Sequence, residues 1–195
     1  MRDASPLVVV VAGPNGAGKS TTAPRLLRDA YTVGEFVNAD AIAQGLSAFH
    51  PEGVAFHAGR TMLERIRVLA RERATFAFET TLATRSFAAW LARIRRTGYR
   101  THLFFLSLPS EELALARVAA RVRMGGHDVP EDVVRRRFRR GLRNLLGLYD
   151  GIMDTWQVLD NTDPAGPRLL ASGHRDRPLE IVDRVAWEHL LELQR

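Results

Sequence analysis

The 195-residue sequence contains no cysteine. That excludes disulfides, thiolate metal sites and thiol nucleophiles, and it accords with a reducing compartment. Lysine is almost as scarce: among 28 lysines and arginines only Lys19 is a lysine. Position 19 therefore has a requirement that arginine does not meet. Long apolar runs are missing too. LVVVVA at 7–12 is too short for a signal-peptide core, and no later run approaches the roughly 18 residues of a membrane span. The expectation is a cytoplasmic protein with no membrane partner.

At 46% hydrophobic residues the chain is long enough for one well-buried domain and short for two. The net charge of +6 and a pI near 10.8 favour anionic partners such as nucleotides, sugar phosphates or nucleic acid. The same arginines could equally lie on solvated helix faces, so charge alone does not choose the partner.

Strand-like runs occur at 7–12, 35–38, 74–80, 101–108 and 156–160, and helical periodicity at 18–29, 54–73, 85–97, 110–124 and 131–149. This alternation predicts an α/β fold of three layers, a parallel five-stranded sheet with helices on both faces. Pro109-Ser110-Glu111-Glu112 and Pro130-Glu131-Asp132 read as helix starts, and Gly125-Gly126 as a helix end. After Asp160 the turn-rich NTDPAGPR precedes a hairpin and an amphipathic helix at 182–194. The reading is a core over 1–161 and a small C-terminal hairpin-plus-helix appendage over 162–195.

GPNGAGKS at 13–20 satisfies G-x-x-x-x-G-K-[ST] between a strand and a helical pattern, as a phosphate-binding loop requires. Gly13, Pro14, Asn15, Gly16, Ala17, Gly18, Lys19, Ser20 and Thr21 are the expected ATP-binding residues. Backbone N–H groups and the helix N-terminus receive the phosphates, while the Ser20 hydroxyl is suited to Mg²⁺. Lysine supplies a compact ammonium that reaches under the loop to the β- and γ-phosphates. A planar guanidinium is too wide for that cradle.

Three segments address the acceptor. Asn38-Ala39-Asp40 follows the second strand, where Asp40 is suited to deprotonating an acceptor hydroxyl or to capping the helix that follows. Glu79, with Thr80 and Thr81, ends the apolar third strand. A carboxylate there needs a metal-bound water, a substrate hydroxyl or an arginine such as Arg85. Finally, RVAARVRMGGHDVPEDVVRRRFRR forms two arginine-bearing helices about a glycine hinge, a lid over about 121–137 suited to closing on a triphosphate. Val134, Phe138, Leu142 and Leu145 share one face of the second helix, with Arg135, Arg136, Arg139 and Arg143 elsewhere. His57 and His127 have no second ligand at metal spacing.

The ordered set AGPNGAGKST, NAD, FETT, RVRMGGHDVP and VLDN resembles the zeta-toxin family of P-loop kinases over roughly 7–161. The resemblance implies a fold like that of nucleotide and shikimate kinases, and ATP-dependent phosphorylation of a UDP-sugar such as UDP-N-acetylglucosamine at the 3'-hydroxyl of the amino sugar. It implies phosphate and Mg²⁺ roles for Lys19 and Ser20, a catalytic base in Asp40 and substrate contacts by Glu79 and Thr81; Asn38, Thr80 and Arg85, at or beside the same strand ends, are further substrate-binding candidates by position. Of Arg117, Arg121, Arg123 and Arg136, two should bind phosphate; we assign Arg123 and Arg136. An antitoxin partner blocking the ATP site is a further implication. The lid and the tail after Asn161 depart from the family pattern. A polynucleotide or tRNA kinase stands second, because the arginine-rich helix offers only Phe138 as an aromatic, on its apolar face. A nucleotide-dependent switch stands third, since it needs no acceptor base.

Overall fold

The computed structural model describes residues 5–31, 33–47 and 51–193. Its order is β1 (Leu7–Ala12), α1 (Lys19–Ala30), β2 (Glu35–Val37), α2 (Ala39–Leu46), α3 (Ala55–Arg71), β3 (Phe76–Thr80), α4 (Ser86–Arg96), β4 (Arg100–Ser107), α5 (Glu111–Arg123), α6 (Glu131–Asn144), β5 (Thr155–Asp160), β6 (Arg168–His174), β7 (Arg177–Ile181) and α7 (Arg184–Glu192). A 3₁₀ turn, Pro51–Val54, leads into α3, and a π-helical turn, Leu145–Tyr149, continues α6. Expected position 194 of the last helix lies outside the described residues.

The strands form one sheet in the order β2-β3-β1-β4-β5-β6-β7. β1 to β5 pair in parallel, as expected, but the sheet has seven strands rather than five. The tail hairpin adds the other two, because β6 pairs antiparallel along the free edge of β5 and β7 along β6. Trp187 of α7 stacks on Trp156 of β5 with ring centroids 6.2 Å apart, and the Trp156 indole donates to Asp150. The tail thus shares the core of the sheet it extends.

Every residue of β1 is buried, as a central parallel strand covered on both faces must be. Val8, Val10, Phe76, Phe78, Leu103 and Phe105 pack toward α3, α4 and the π turn, whereas Val9, Val11, Ala77, Phe104 and Leu106 pack toward α1, α5 and α6. From β1 the chain goes to the edge strand β2, returns inward to β3 beside β1, then crosses to β4 on the other side of β1. The loop after β1 therefore opens at the point where the strand order reverses, the usual ligand crevice of such sheets. No helix among the described residues is long and apolar enough to cross a membrane.

At the opposite end of the sheet, His102 is only 5% exposed and its Nδ1 lies 2.6 Å from the Thr155 hydroxyl. Burial pulls its pKa from 6.5 down to about 4. The unfolded chain binds this proton more tightly than the folded one, so the contribution is whole above pH 6.5 and is lost as pH falls toward 4. The shift corresponds to roughly 3 kcal/mol. Urea titrations at both ends of that window should show the unfolding free energy of wild type dropping more than that of His102→Gln, which takes up no proton. Parallel losses in the two proteins would refute the assignment.

Candidate active site

The phosphate-binding loop is shaped by glycine where no side chain fits. Gly13 has φ +141°, and a Cβ there would sit 2.3 Å from the Leu106 carbonyl oxygen. Gly18 adopts φ +74° as the left-handed N-cap of α1, and a Cβ would lie 2.7 Å from the Asn161 amide nitrogen. Asn161 in turn donates to the Ala17 carbonyl at 2.7 Å, so the segment after β5 clamps the loop.

Lys19 is 7% exposed and its Nζ donates to the Pro14 carbonyl at 2.9 Å. Its nearest carboxylate is Glu79, 3.7 Å away. Burial lowers the ammonium pKa, and Arg121 and Arg137 push the same way, while Glu79 and Asp40 oppose them. A triphosphate entering the loop would add the negative charge that this ammonium lacks.

Glu79 does not meet Arg85, which is exposed at the start of α4. Its carboxylate instead accepts from the Ser20 hydroxyl at 2.7 Å and from the Asn38 amide at 2.8 Å. This places it against the phosphate-binding loop. Ser20 and Glu79 together offer hard oxygen donors, leaving other positions for phosphate oxygens and water, which is what Mg²⁺ takes. No cluster of three histidines or carboxylates suited to holding a metal by protein alone exists among the described residues.

Asn38, not Asp40, caps α2: its Oδ1 accepts from the amides of Asp40 and Ala41 at 2.7 and 3.3 Å. Asp40 is thereby released from capping and lies exposed in the first turn of the helix. It shares with Lys19, Glu79, Thr80 and Thr81 the wall of a cavity of about 560 Å³. The segment 41–60, which the sequence suggests as a roof for the acceptor pocket, contributes to the wall through Ala55, Phe56, Gly59 and Arg60, and its residues 48–50 lie outside the described residues.

The loop behind Thr81 is held in an uncommon conformation. Leu82 is fully buried with φ +59°, its amide bonded to Thr80 Oγ1 at 3.1 Å and its carbonyl receiving the Asn144 amide at 2.8 Å. Tyr149, in the π turn, donates to the Thr84 carbonyl at 3.2 Å. Strained backbone held from several directions is a common feature of functional sites.

The lid arginines differ from expectation. Arg123 is exposed at the end of α5, and Arg136 is exposed and pairs with Asp132 one turn away at 3.6 Å. Neither lines the cavity. Arg137 does: it reaches Asn15 of the loop at 3.3 Å, and burial lowers its guanidinium pKa against the pull of Asp40. Position 137 lies three residues after Val134 and four before Gly141, beside the buried stripe, and that helical spacing was the signal for it. Arg121 bonds the His127 carbonyl at 2.9 Å, while Arg117 fixes the carbonyls of Asn161 and Thr162 at 2.9 and 2.8 Å.

Strand order and loop together define a nucleoside-triphosphate-binding protein, a P-loop kinase in fold and in its phosphate-binding loop. An AAA domain family profile (AAA_33) matches residues 8–146, and the chain belongs to that family. An uncharacterised protein of Haemophilus influenzae is 29% identical over 130 residues, covering 67% of this chain and 91% of its own length. The fold is similar to that in the crystal structure of AvrRxo1-ORF1 with AvrRxo1-ORF2 and sulphate ions, with TM-score 0.76, 16% identity and 99% of this chain covered. The ATP-containing form of that complex gives 0.73. This chain spans 66% of the sulphate-form chain. A structure of the PezAT toxin–antitoxin system of Streptococcus pneumoniae gives TM-score 0.65 at 15% identity, covering 99% of this chain and 89% of its own.

Substitutions at Lys19 and Arg137 test the loop. Lys19→Arg, like Lys19→Ala, should abolish nearly all phosphoryl transfer with an unchanged circular dichroism spectrum; wild-type turnover by the arginine variant would refute the cradle argument. Arg137→Ala should lower turnover roughly ten- to a hundredfold, the scale of one charge-assisted hydrogen bond, while Arg136→Ala stays within about twofold. The reverse order in steady-state assays would restore the expected pair.

Proposed function

We propose that the protein is an ATP- and Mg²⁺-dependent kinase that transfers the γ-phosphoryl group to a sugar hydroxyl of a small molecule, with UDP-N-acetylglucosamine the first candidate. The observation that carries this reading is the position of Asp40. Its carboxylate is left uncapped by Asn38 and stands in the same cavity as the phosphate-binding lysine. A switch protein has no use for such a base.

The nucleoside fits on the other side of the loop, in a cavity of about 300 Å³ between α1 and the segment after β5, with Thr22, Arg117 and Asn161 in its wall. The phosphates then run through the loop toward Lys19. Ser20 and Glu79 would hold Mg²⁺, which would supply charge neutralisation for the triphosphate. Asp40 accepts the acceptor's hydroxyl proton as that oxygen bonds to the γ-phosphorus. The bond to the β-phosphate oxygen breaks, and Lys19 with the loop amides receives the charge left there. Arg137, anchored on Asn15, stabilises the transferring group, and the Arg121 charge is near enough to Lys19 to contribute. Thr80 and Thr81 are hydroxyl contacts for a polyol.

The resemblance to zeta toxins supports the sugar-nucleotide acceptor. A protein partner covering the ATP site belongs to the same reading: AvrRxo1-ORF1 was solved in complex with AvrRxo1-ORF2, and PezAT is a toxin–antitoxin system.

Asp40→Asn should leave ATP affinity within a few fold and cut kcat by roughly 10² to 10⁴, the scale of general-base removal. Labelled ATP offered with UDP-sugars, nucleosides and RNA identifies the acceptor, and mass spectrometry should find one added phosphate on the hexosamine. Label on RNA ends with no UDP-sugar consumed would establish the polynucleotide kinase instead, and unchanged turnover by Asp40→Asn would remove the base.

A further inference from the structure

A separate cavity of about 300 Å³ lies away from the phosphate-binding loop, on the α1 side of the sheet. There β4 to β7 line up two rows of side chains. His102, Thr155, His174 and Arg177 pair in register across the four strands, and Gln157, Ser172 and Glu180 pair in the next row. All seven line the cavity, and Tyr31, which follows α1, stands at the His102 end with ring centroids 5.3 Å apart. His102 lies four residues below Leu106, whose carbonyl crowds Gly13, a separation of roughly 13 Å along the strand.

Arg177 and Glu180 are three apart on β7, and in a regular strand they would point to opposite faces. A register shift between Ser172 and His174 turns both toward the cavity, as bulges beside binding sites do. His174 Nδ1 accepts the Asp176 amide at 3.2 Å, so the neutral ring carries its proton on Nε2 and is a donor there. Arg177 is exposed, and no carboxylate among the described residues pairs with it. Arg100 is near enough to Tyr31 to oppose the rise in phenol pKa that burial causes. Two guanidiniums thus stand around the cavity against the Glu180 carboxylate, which accepts from Ser172 at 3.3 Å. At the floor, His102 Nδ1 is committed to Thr155, and its buried Nε2 has no hydrogen-bond partner among the described residues. A buried nitrogen of that kind marks a floor that a guest completes.

We propose that this cavity is a second binding site, for a small planar ring that carries one carboxylate and a hydrogen-bond donor. The ring lies against Tyr31, the carboxylate meets Arg177 and the Nε2 proton of His174, and Glu180 receives the donor. Arg177 holds a carboxylate with two parallel N–H groups, which fixes the plane of the ring as well as its charge. The row spans roughly 14 Å from β4 to β7, and the side chains of Tyr31 and Arg177 reach inward from its ends. That leaves room for one substituted ring, in keeping with a volume at the small end of ligand pockets. The site takes no part in phosphoryl transfer and does not depend on the kinase reading.

Nuclear magnetic resonance of histidine-labelled protein tests this at the site itself, with the His102 and His174 ring signals assigned from His102→Gln and His174→Gln. The probes are 4-aminobenzoate, 4-hydroxybenzoate and orotate. The controls are 4-aminobenzamide, which lacks the charge, benzoate, which lacks the donor, and cyclohexanecarboxylate, which lacks the flat ring. At least one probe should shift both histidine signals saturably and bind severalfold more tightly than every control. Arg177→Gln should weaken that probe about tenfold or more, the scale of a charge-assisted contact. Tyr31→Leu should erase the preference over cyclohexanecarboxylate. Arg177 is exposed, so its variant should fold, and it decides the matter if the half-buried position 31 does not tolerate leucine. Probes that move neither signal, controls that bind as tightly as the probes, or an Arg177→Gln protein that binds like wild type would each overturn the proposal.

Discussion

A buried ammonium with too little negative charge around it is the constraint on which the structure turns. Lys19 sits at the end of the central strand, 7% exposed, held by one carbonyl and a carboxylate 3.7 Å away. A lone buried cation is expensive, and breaking such a pair commonly costs about 3–5 kcal/mol. Glu79 is therefore required beside it, and only the parallel pairing of β3 along β1 brings a residue sixty positions away to that place. Asn38 and Ser20 complete the carboxylate's hydrogen bonds, which ties β2 and α1 to the same point. The order of three strands and the start of two helices thus converge on one charge.

α6 shows how an arginine-rich helix divides its labour. Arg135 and Arg139 meet Glu111, a buried carboxylate at the start of α5, and so bind α5 and α6 to each other. Gly141, where a Cβ would lie 2.7 Å from the Thr81 carbonyl, lets the helix approach the loop after β3. Asn144 and Tyr149 then grip that loop through Leu82 and Thr84. One helix packs on α5, braces the loop after β3 and brings Arg137 to Asn15 of the phosphate-binding loop. Positive charge on its outer face is largely structural.

Much of this was legible in the sequence. The fully apolar β1 and the glycine spacing after it specify both the strand and the loop, since burial on two faces and a phosphate cradle leave few alternatives. Asn38, Asp40, Glu79, Thr80 and Thr81 were recognisable because strand ends in a parallel sheet share one rim. Less legible were features set by three-dimensional partners. Glu79 turns toward Ser20 rather than Arg85 because the register of β1 and β3 puts Val11 beside it. The hairpin joins the sheet because β5 would otherwise end it with an open edge, a pairing that periodicity alone does not reveal. Arg137 was missed among neighbouring arginines of similar appearance; only its place beside the buried stripe of α6 separates it from Arg136.

The solitary lysine has an implication for how the protein can be modified. Across these 195 residues there is a single side-chain amine, and it lies under the phosphate-binding loop. Acetylation or any other lysine-directed chemistry on these side chains has one address. A group attached there would remove the ammonium and occupy the phosphate cradle, so modification and loss of nucleotide binding are the same event. The amine is also shielded by the loop that a triphosphate would fill. Its reactivity toward an acylating reagent consequently reports on the state of that loop, with no second lysine to confuse the signal.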